Sequence, residues 1–189
     1  DLEKFFTILQ RNTDRLVSLT DDLIEQQRLD AHKMRLDLSS TILKDIIVQS
    51  VENISPMMNQ KKQSFTTEYD ESIPALYIDP IRIGQVMDNL LSNAIKYSPE
   101  ETNFHISAIN QENEIKLSVR DEGIGLSKND IDELFKPFPS IARPPITENS
   151  TGLGLCICKG IIELHDGKIW AESDGKGEGS TFKFTIPKN

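Results

Sequence analysis

The chain has 189 residues, 37% of them hydrophobic and 27% charged, which is a soluble globular profile with length for one good core and a smaller accessory element. A formal net charge of -9 argues against general nucleic-acid binding, yet leaves room for an anionic ligand held locally by backbone amides and one or two cations. No apolar run is long enough to cross a bilayer and no secretion signal opens the chain, and Cys156 and Cys158 read as packing thiols of a reducing, cytoplasmic protein.

The helical pattern is already running at Asp1, so the chain is expected to be a piece of a longer protein, with room for a membrane segment upstream. Residues 1 to about 35 read as one helix. Leu2, Phe5, Leu9, Asn12, Leu16, Leu19, Leu23 and Gln26 alternate steps of three and four, a heptad seam with a polar break at Asn12. One helix cannot bury such a stripe alone. Its expected partner is another chain, or an upstream helix in a hairpin or bundle, in preference to its own domain.

"STILKDIIVQSVENISPMMNQKK" follows as an amphipathic helix with Ile42, Ile46, Ile47, Val51 and Ile54 on its apolar face, after a break at residues 37–40. "SFTTEYD" alternates as a strand, and "SIPALYID" is an extended connection. "DPIRIGQVMDNLLSNAIKYSP" is the best-defined helix. Asp79 is its N-cap, Pro80 occupies a position that needs no N–H, and the helix ends before Pro99. Its buried stripe is Ile83, Val86, Met87, Leu90, Leu91, Ala94 and Ile95. "FHISAIN" and "EIKLSVRD" are strands joined at "QEN". "KNDIDELF" is a short helix, and residues 136–151, with four prolines and no apolar period, are a loop. "GLGLCICKGIIELH" is a helix, followed by two closing strands around a glycine-rich turn. Helices among mostly adjacent strands predict an α/β fold, a two-layer α/β sandwich with a mixed sheet, preceded by the long helix.

Asn89, Asn93 and Lys96 are spaced four and three apart, on one face of the best-defined helix. A plain solvent face would carry Glu, Lys and Arg, and Asn is a weak helix former. Amide oxygens suit a hard cation such as Mg²⁺, and Lys96 suits a phosphate. In "DEGIGL" a strand ends at Asp121 and the backbone turns through Gly123 and Gly125, allowing close approach of a flat ligand. In "STGLGL" Gly152 and Gly154 open a helix whose first N–H groups suit phosphate. Neither run is a Walker motif or a dinucleotide fingerprint, and a lone Gly-x-Gly is more often a turn.

In order, "NLLSNAIKYS", "DEGIGL", "LFKPF" and "STGLGL" closely resemble the N, G1, F and G2 boxes of the sensor histidine kinases, of the wider GHKL group with gyrase, the Hsp90 chaperones and the MutL proteins. The resemblance implies the Bergerat ATP-binding fold over residues 40–189. It also implies that residues 1–36 are the second helix of a dimerisation and histidine-phosphotransfer hairpin. It makes Asn93 the main Mg²⁺ ligand, supported by Asn89, and brings Lys96 to the phosphates and Tyr97 to the nucleotide's border. Asp121 would bind the adenine amino group, with Gly123 and Gly125 beside it. Phe135 and Phe138 would anchor the start of a mobile lid, and Gly152 and Gly154 would line the phosphates, with Thr151 and Leu153 near them. The implied activity is that of a protein-histidine kinase using ATP and Mg²⁺, a homodimer through its helical hairpin, with a response-regulator receiver domain as partner.

In hydrolytic relatives the position of Asn89 holds a glutamate that activates water; an amide cannot act as that base. Asp88 points about 100 degrees away around the helix. Transfer is therefore expected over hydrolysis. His32, His105 and His165 all lack the acceptor motif, so this chain should bind ATP without phosphorylating itself. The proline-rich lid, with Arg143, and Ser150 in place of a glycine depart from the family's pattern. The rival readings are an ATP hydrolase of the same fold and a non-catalytic interaction domain with a degenerate pocket.

Overall fold

The computed structural model describes residues 2–141 and 151–188. A long helix α1 (Leu2–Asp30) leads into strand β1 (Ser39–Thr41) and helix α2 (Leu43–Gln60). Strands β2 (Ser64–Tyr69) and β3 (Leu76–Ile78) precede helix α3 (Pro80–Tyr97), and strands β4 (Asn103–Asn110) and β5 (Glu114–Asp121) follow it. After them come helices α4 (Lys128–Glu133) and α5 (Gly154–Leu164), then strands β6 (Lys168–Glu172) and β7 (Ser180–Pro187).

The main sheet has five strands in the order β2-β4-β5-β7-β6; β2 and β4 run parallel and every other neighbouring pair antiparallel. The expected mixed sheet is therefore present. Strand alternation sends Ile115, Leu117 and Val119 of β5, and Phe182, Phe184 and Ile186 of β7, into the core with the stripes of α2, α3 and α5. The other parity carries polar partners such as Ser107 and Ser118, whose hydroxyls lie 2.6 Å apart. The result is two layers, a sheet with helices on one face.

Helix α3 buries the stripe read from its sequence, residue for residue. Its N-cap is Asp79, whose Oδ1 accepts the N–H groups of Ile81 and Arg82, each at 3.1 Å. Asp79 Oδ2 also accepts the N–H of Asp37 at 2.9 Å, and its own N–H donates to Nε2 of His165 at 3.1 Å. The carboxylate of Asp79 thus joins the entry segment to α3, and its backbone N–H adds the end of α5. Such a cap is worth about 1 kcal/mol on its own.

Three details differ from the sequence reading. The pair β1–β3 forms a small antiparallel sheet where the sequence suggested a break and an extended connection. Ile42 is not on the buried face of α2: it sits at the N-cap and is exposed, while Leu43 is fully buried. Helix α1 ends at Asp30, and most of its expected seam, Leu2, Phe5, Leu9, Leu16 and Leu23, is exposed. The later part of α1 packs on the domain through Asp22, Glu25, Gln26 and Leu29, which one helix face presents together.

Candidate functional site

Three segments meet around a cavity of about 570 Å³: the flank of α3, the turn after β5, and the start of α5. Because residues 83, 86, 87, 90 and 91 of α3 face the core, Asn89, Asn93 and Lys96 fall on its half-buried flank and line the cavity. Nδ2 of Asn93 donates to Oδ1 of Asn89 at 3.1 Å. That bond fixes the Asn93 amide with its own oxygen unspent on Asn89. Lys96 lies against the ring of Tyr97, its Nζ 6.0 Å from the centroid.

The last turn of α3 is held from outside. Nζ of Lys61 donates to the carbonyls of Ile95, Lys96 and Ser98 at 2.7, 3.2 and 2.9 Å, and Nε2 of Gln63 donates to the carbonyl of Pro99 at 2.7 Å. These groups satisfy carbonyls that a helix end leaves open. Burial lowers the affinity of Lys61 for its proton.

Strand parity puts Asp121 on the core side of β5, two residues beyond Val119, so a carboxylate is buried at the floor of the cavity. Its Oδ1 accepts from the N–H groups of Gly123 at 2.8 Å and Ser180 at 3.2 Å. Burial outweighs both bonds and pushes its pKa up to about 6. A side chain at Gly123 would stand 2.7 Å from Oδ1 of Asp121 and 2.8 Å from the carbonyl of Tyr97, so this turn closes only on glycine. Gly125 has φ +65 and packs against the carbonyl of Gly175. The turn is stitched to α3 by the N–H of Ile124 on the carbonyl of Tyr97 at 3.2 Å, and to the 173–179 loop by the N–H of Gly177 on the carbonyl of Ile124 at 2.8 Å.

Helix α5 starts at Gly154, where a methyl group would run into the amide of Asn89. The open N–H end of α5 is thereby brought against the two asparagines. The N–H of Phe138 donates to the carbonyl of Gly152 at 3.1 Å, tying the described start of the lid to this corner. Arg143, Ser150 and the rest of the 142–150 stretch lie outside the described residues.

Of the residues singled out from sequence, Asn89, Asn93, Lys96, Tyr97, Asp121, Gly125, Thr151, Gly152 and Gly154 line this cavity. Gly123 shapes it from behind. Leu153 is in the core at 1% exposure, Phe135 packs partly buried against the core, and Phe138 is exposed. Sequence reasoning missed the apolar walls, Ile124, Leu126, Leu134, Leu155 and Phe182, and the polar Ser180. Ser180 pairs with Asp121 across the sheet, so strand register could have found it. It also missed Ser18 and Asp22 of α1, for which a helix read as separate gave no signal. Asp88 does not line the cavity; its Oδ2 accepts from Asn53 of α2 at 3.3 Å.

Residues 78–189 match the family described as Histidine kinase-, DNA gyrase B-, and HSP90-like ATPase. The chain belongs to that family. It is 30% identical to the adaptive-response sensory kinase SasA of Synechococcus elongatus over 94% of this chain and 45% of that protein, so it spans less than half of that relative. The histidine kinase AdeS of Acinetobacter baumannii superposes with a TM-score of 0.83 at 27% identity, covering 99% of this chain and 85% of that one. The histidine kinase ThkA, solved in complex with the response regulator TrrA, gives 0.79 at 26% identity over 100% of this chain and 52% of that one. AdeS and ThkA thus share the fold of the domain and, since they cover nearly all of this chain, the preceding helix. Among the described residues no helix is long and apolar enough to cross a membrane.

Proposed function

We propose that this chain is the ATP-binding catalytic part of a two-component sensor histidine kinase. It binds ATP in the cavity and presents the γ-phosphoryl group to a histidine on a helix outside this sequence, for relay to a response-regulator aspartate. The observation that carries the reading is one cavity joining a buried carboxylate, a fixed asparagine pair, Lys96 and an open helix N-terminus.

The adenine amino group donates to Asp121, whose two backbone donors both fall on Oδ1. The apolar walls cover the ring faces. The phosphates lie toward the N–H end of α5 and Lys96. Mg²⁺ commonly takes one or two protein oxygens and completes its shell from phosphates and water, which fits the amide oxygen of Asn93. Asn89 orients that amide. Bound Mg²⁺ would supply neutralisation of the charge that develops on the transferred group. What these residues contribute is position and electrostatics.

Transfer is favoured over hydrolysis because Asn89 is neutral and Asp88 is turned to α2. The nitrogens of buried His165 are engaged by Asp79 and the carbonyl of Ile161. His105 faces Thr66 at 2.9 Å on the open side of the sheet. Neither has an acceptor's setting, and exposed His32, just beyond α1, is followed by Lys-Met-Arg and not by an acid, so we place the acceptor helix elsewhere in the full protein. The exposed seam of α1 is the surface for that helix and for a second subunit. Free cysteines and dependence on ATP suit the cytoplasm.

Incubation with radiolabelled ATP and Mg²⁺ tests this. The chain should bind an ATP analogue saturably and acquire no stable label. Label on His32, His105 or His165 would overturn the claim that the acceptor is absent, and no analogue binding would overturn the site.

A further inference from the structure

The wall of the nucleotide cavity is not built by the catalytic domain alone. Ser18 and Asp22, one turn apart on α1, line it together with Asn89, Thr151, Gly152 and Gly154. The hydroxyl of Thr151 hydrogen-bonds the Asp22 carboxylate, next to the glycine corner that opens α5. The groups that bear on Asp22 by charge are Asp21 and Glu25, both acids.

Asp22 is held there by a formed interface. Glu25 pairs with the guanidinium of Arg82 and accepts from Nε2 of Gln85 at 2.5 Å. One turn further on, the side chain of Leu29 covers Gly160 so closely that a methyl on that glycine would stand 2.7 Å from it. Arg82 and Glu25 are 26% and 15% exposed, so this pair is more than a loose surface contact.

The cavity therefore has two different ends. At one, Asp121 and the glycine turn receive the base. At the other, where the phosphates run toward α5, a second carboxylate is fixed. We propose that Asp22 makes the docked form of this chain selective for ADP over ATP, by placing negative charge where the third phosphate must lie. The inference rests on reading the cavity as a nucleotide site. ADP ends before that position and carries less charge; ATP brings its terminal phosphate against a half-buried carboxylate that salt screens poorly. ATP then binds well only as α1 lifts away, and loss of the third phosphate lets α1 return.

Titration calorimetry of the whole chain with ADP and with ATP, Mg²⁺ present throughout, tests the idea. Asp22→Asn keeps an acceptor for Thr151 and touches no core residue. It should tighten ATP by about fivefold and leave ADP within about twofold, the size expected of one such like-charge contact. Arg82→Gln, outside the cavity, should move the ADP-to-ATP ratio the same way by loosening α1. Equal tightening of both nucleotides by Asp22→Asn, or no change in either, overturns the selectivity and leaves the nucleotide site standing. Failure of wild type and both variants to bind either nucleotide overturns both.

Discussion

Asp121 shows how a single side chain can be tuned by where a strand ends. Its ordinary partner in water is lost, and two backbone N–H groups only partly replace it, so its pKa rises to about 6. Since Oδ1 is taken by those donors, the proton goes to the oxygen that would receive the adenine amine. Nucleotide affinity should therefore fall as pH drops through 6, by about tenfold at pH 5 relative to pH 7.5, and Asp121→Asn should flatten that profile. The stability effect has the opposite direction. A carboxylate with a raised folded pKa stabilises fully below its unfolded value near 4, and that contribution is lost as pH rises through about 6. Asp121→Asn should thus raise the melting temperature of the ligand-free chain at pH 7.5, by an amount reflecting on the order of 1–3 kcal/mol, while weakening ADP binding. A lower melting point in a thermal scan at that pH would contradict this. From sequence, Asp121 was legible as a strand-end acid before two glycines, and the alternation of β5 puts it on the inward face two residues beyond Val119. Its contact with Ser180 needed in addition the register of β7 beside β5.

Helix ends do much of the positioning in this fold. The start of α3 was legible because Asp79 and Pro80 are local signals, and its core stripe because seven apolar residues keep one period. The hold on its far end was not legible, since Lys61 and Gln63 come from the turn after α2 and nothing local links them to Ser98 or Pro99. The three-residue strands β1 and β3 escaped for a related reason: so short a run has no readable alternation, and only their mutual pairing makes them strands. Lys61→Met leaves three carbonyls without their ammonium donor, at a cost of about 1–3 kcal/mol in denaturant unfolding. It should also weaken ATP binding, because the same turn carries Lys96 and Tyr97, with partial recovery in Lys61→Arg. The start of α5 gives a sharper test. Gly154→Ala drives a methyl into Asn89, displacing the amide that orients Asn93. ATP affinity should fall at least about tenfold with little change in melting temperature, because the clash reaches a flexible side chain that lines a cavity and leaves the core unaltered.

At the scale of the whole chain, two surfaces of α1 face different needs. Its later turns dock on α3 and α5, while Leu2, Phe5, Phe6, Leu9, Leu16 and Val17 remain exposed along the earlier turns. The heptad pattern was legible, and its residues Leu2, Phe5, Leu9, Leu16 and Leu23 are exposed, while Leu19 is half-buried and Gln26 joins the docking face. Most of the docking face was not legible, because Asp22 and Glu25 interrupt any apolar period between Gln26, the last position of the seam, and Leu29. The catalytic domain should stand without α1. Its core is built from α2, α3, α5 and the sheet, and α1 itself adds only partly buried Leu29 to the edge of that cluster. A chain beginning at Lys33 keeps Met34 and should fold cooperatively, with a melting temperature lowered by only a few degrees for the lost contacts of Glu25 and Leu29, about 1–2 kcal/mol. The seam makes a separate claim on solution behaviour. Six exposed large apolar side chains in that half of one helix exceed what scattered surface hydrophobics require, and the spacing of Leu2, Phe5, Leu9 and Leu16 matches knobs-into-holes packing. Sedimentation should therefore show concentration-dependent dimers of the whole chain and monomers of the shortened one. Replacing Leu9 and Leu16 together by Glu should abolish dimers, yet leave ADP binding intact, since neither residue lines the cavity. Dimers that persist in the shortened chain would move the interface onto the catalytic domain.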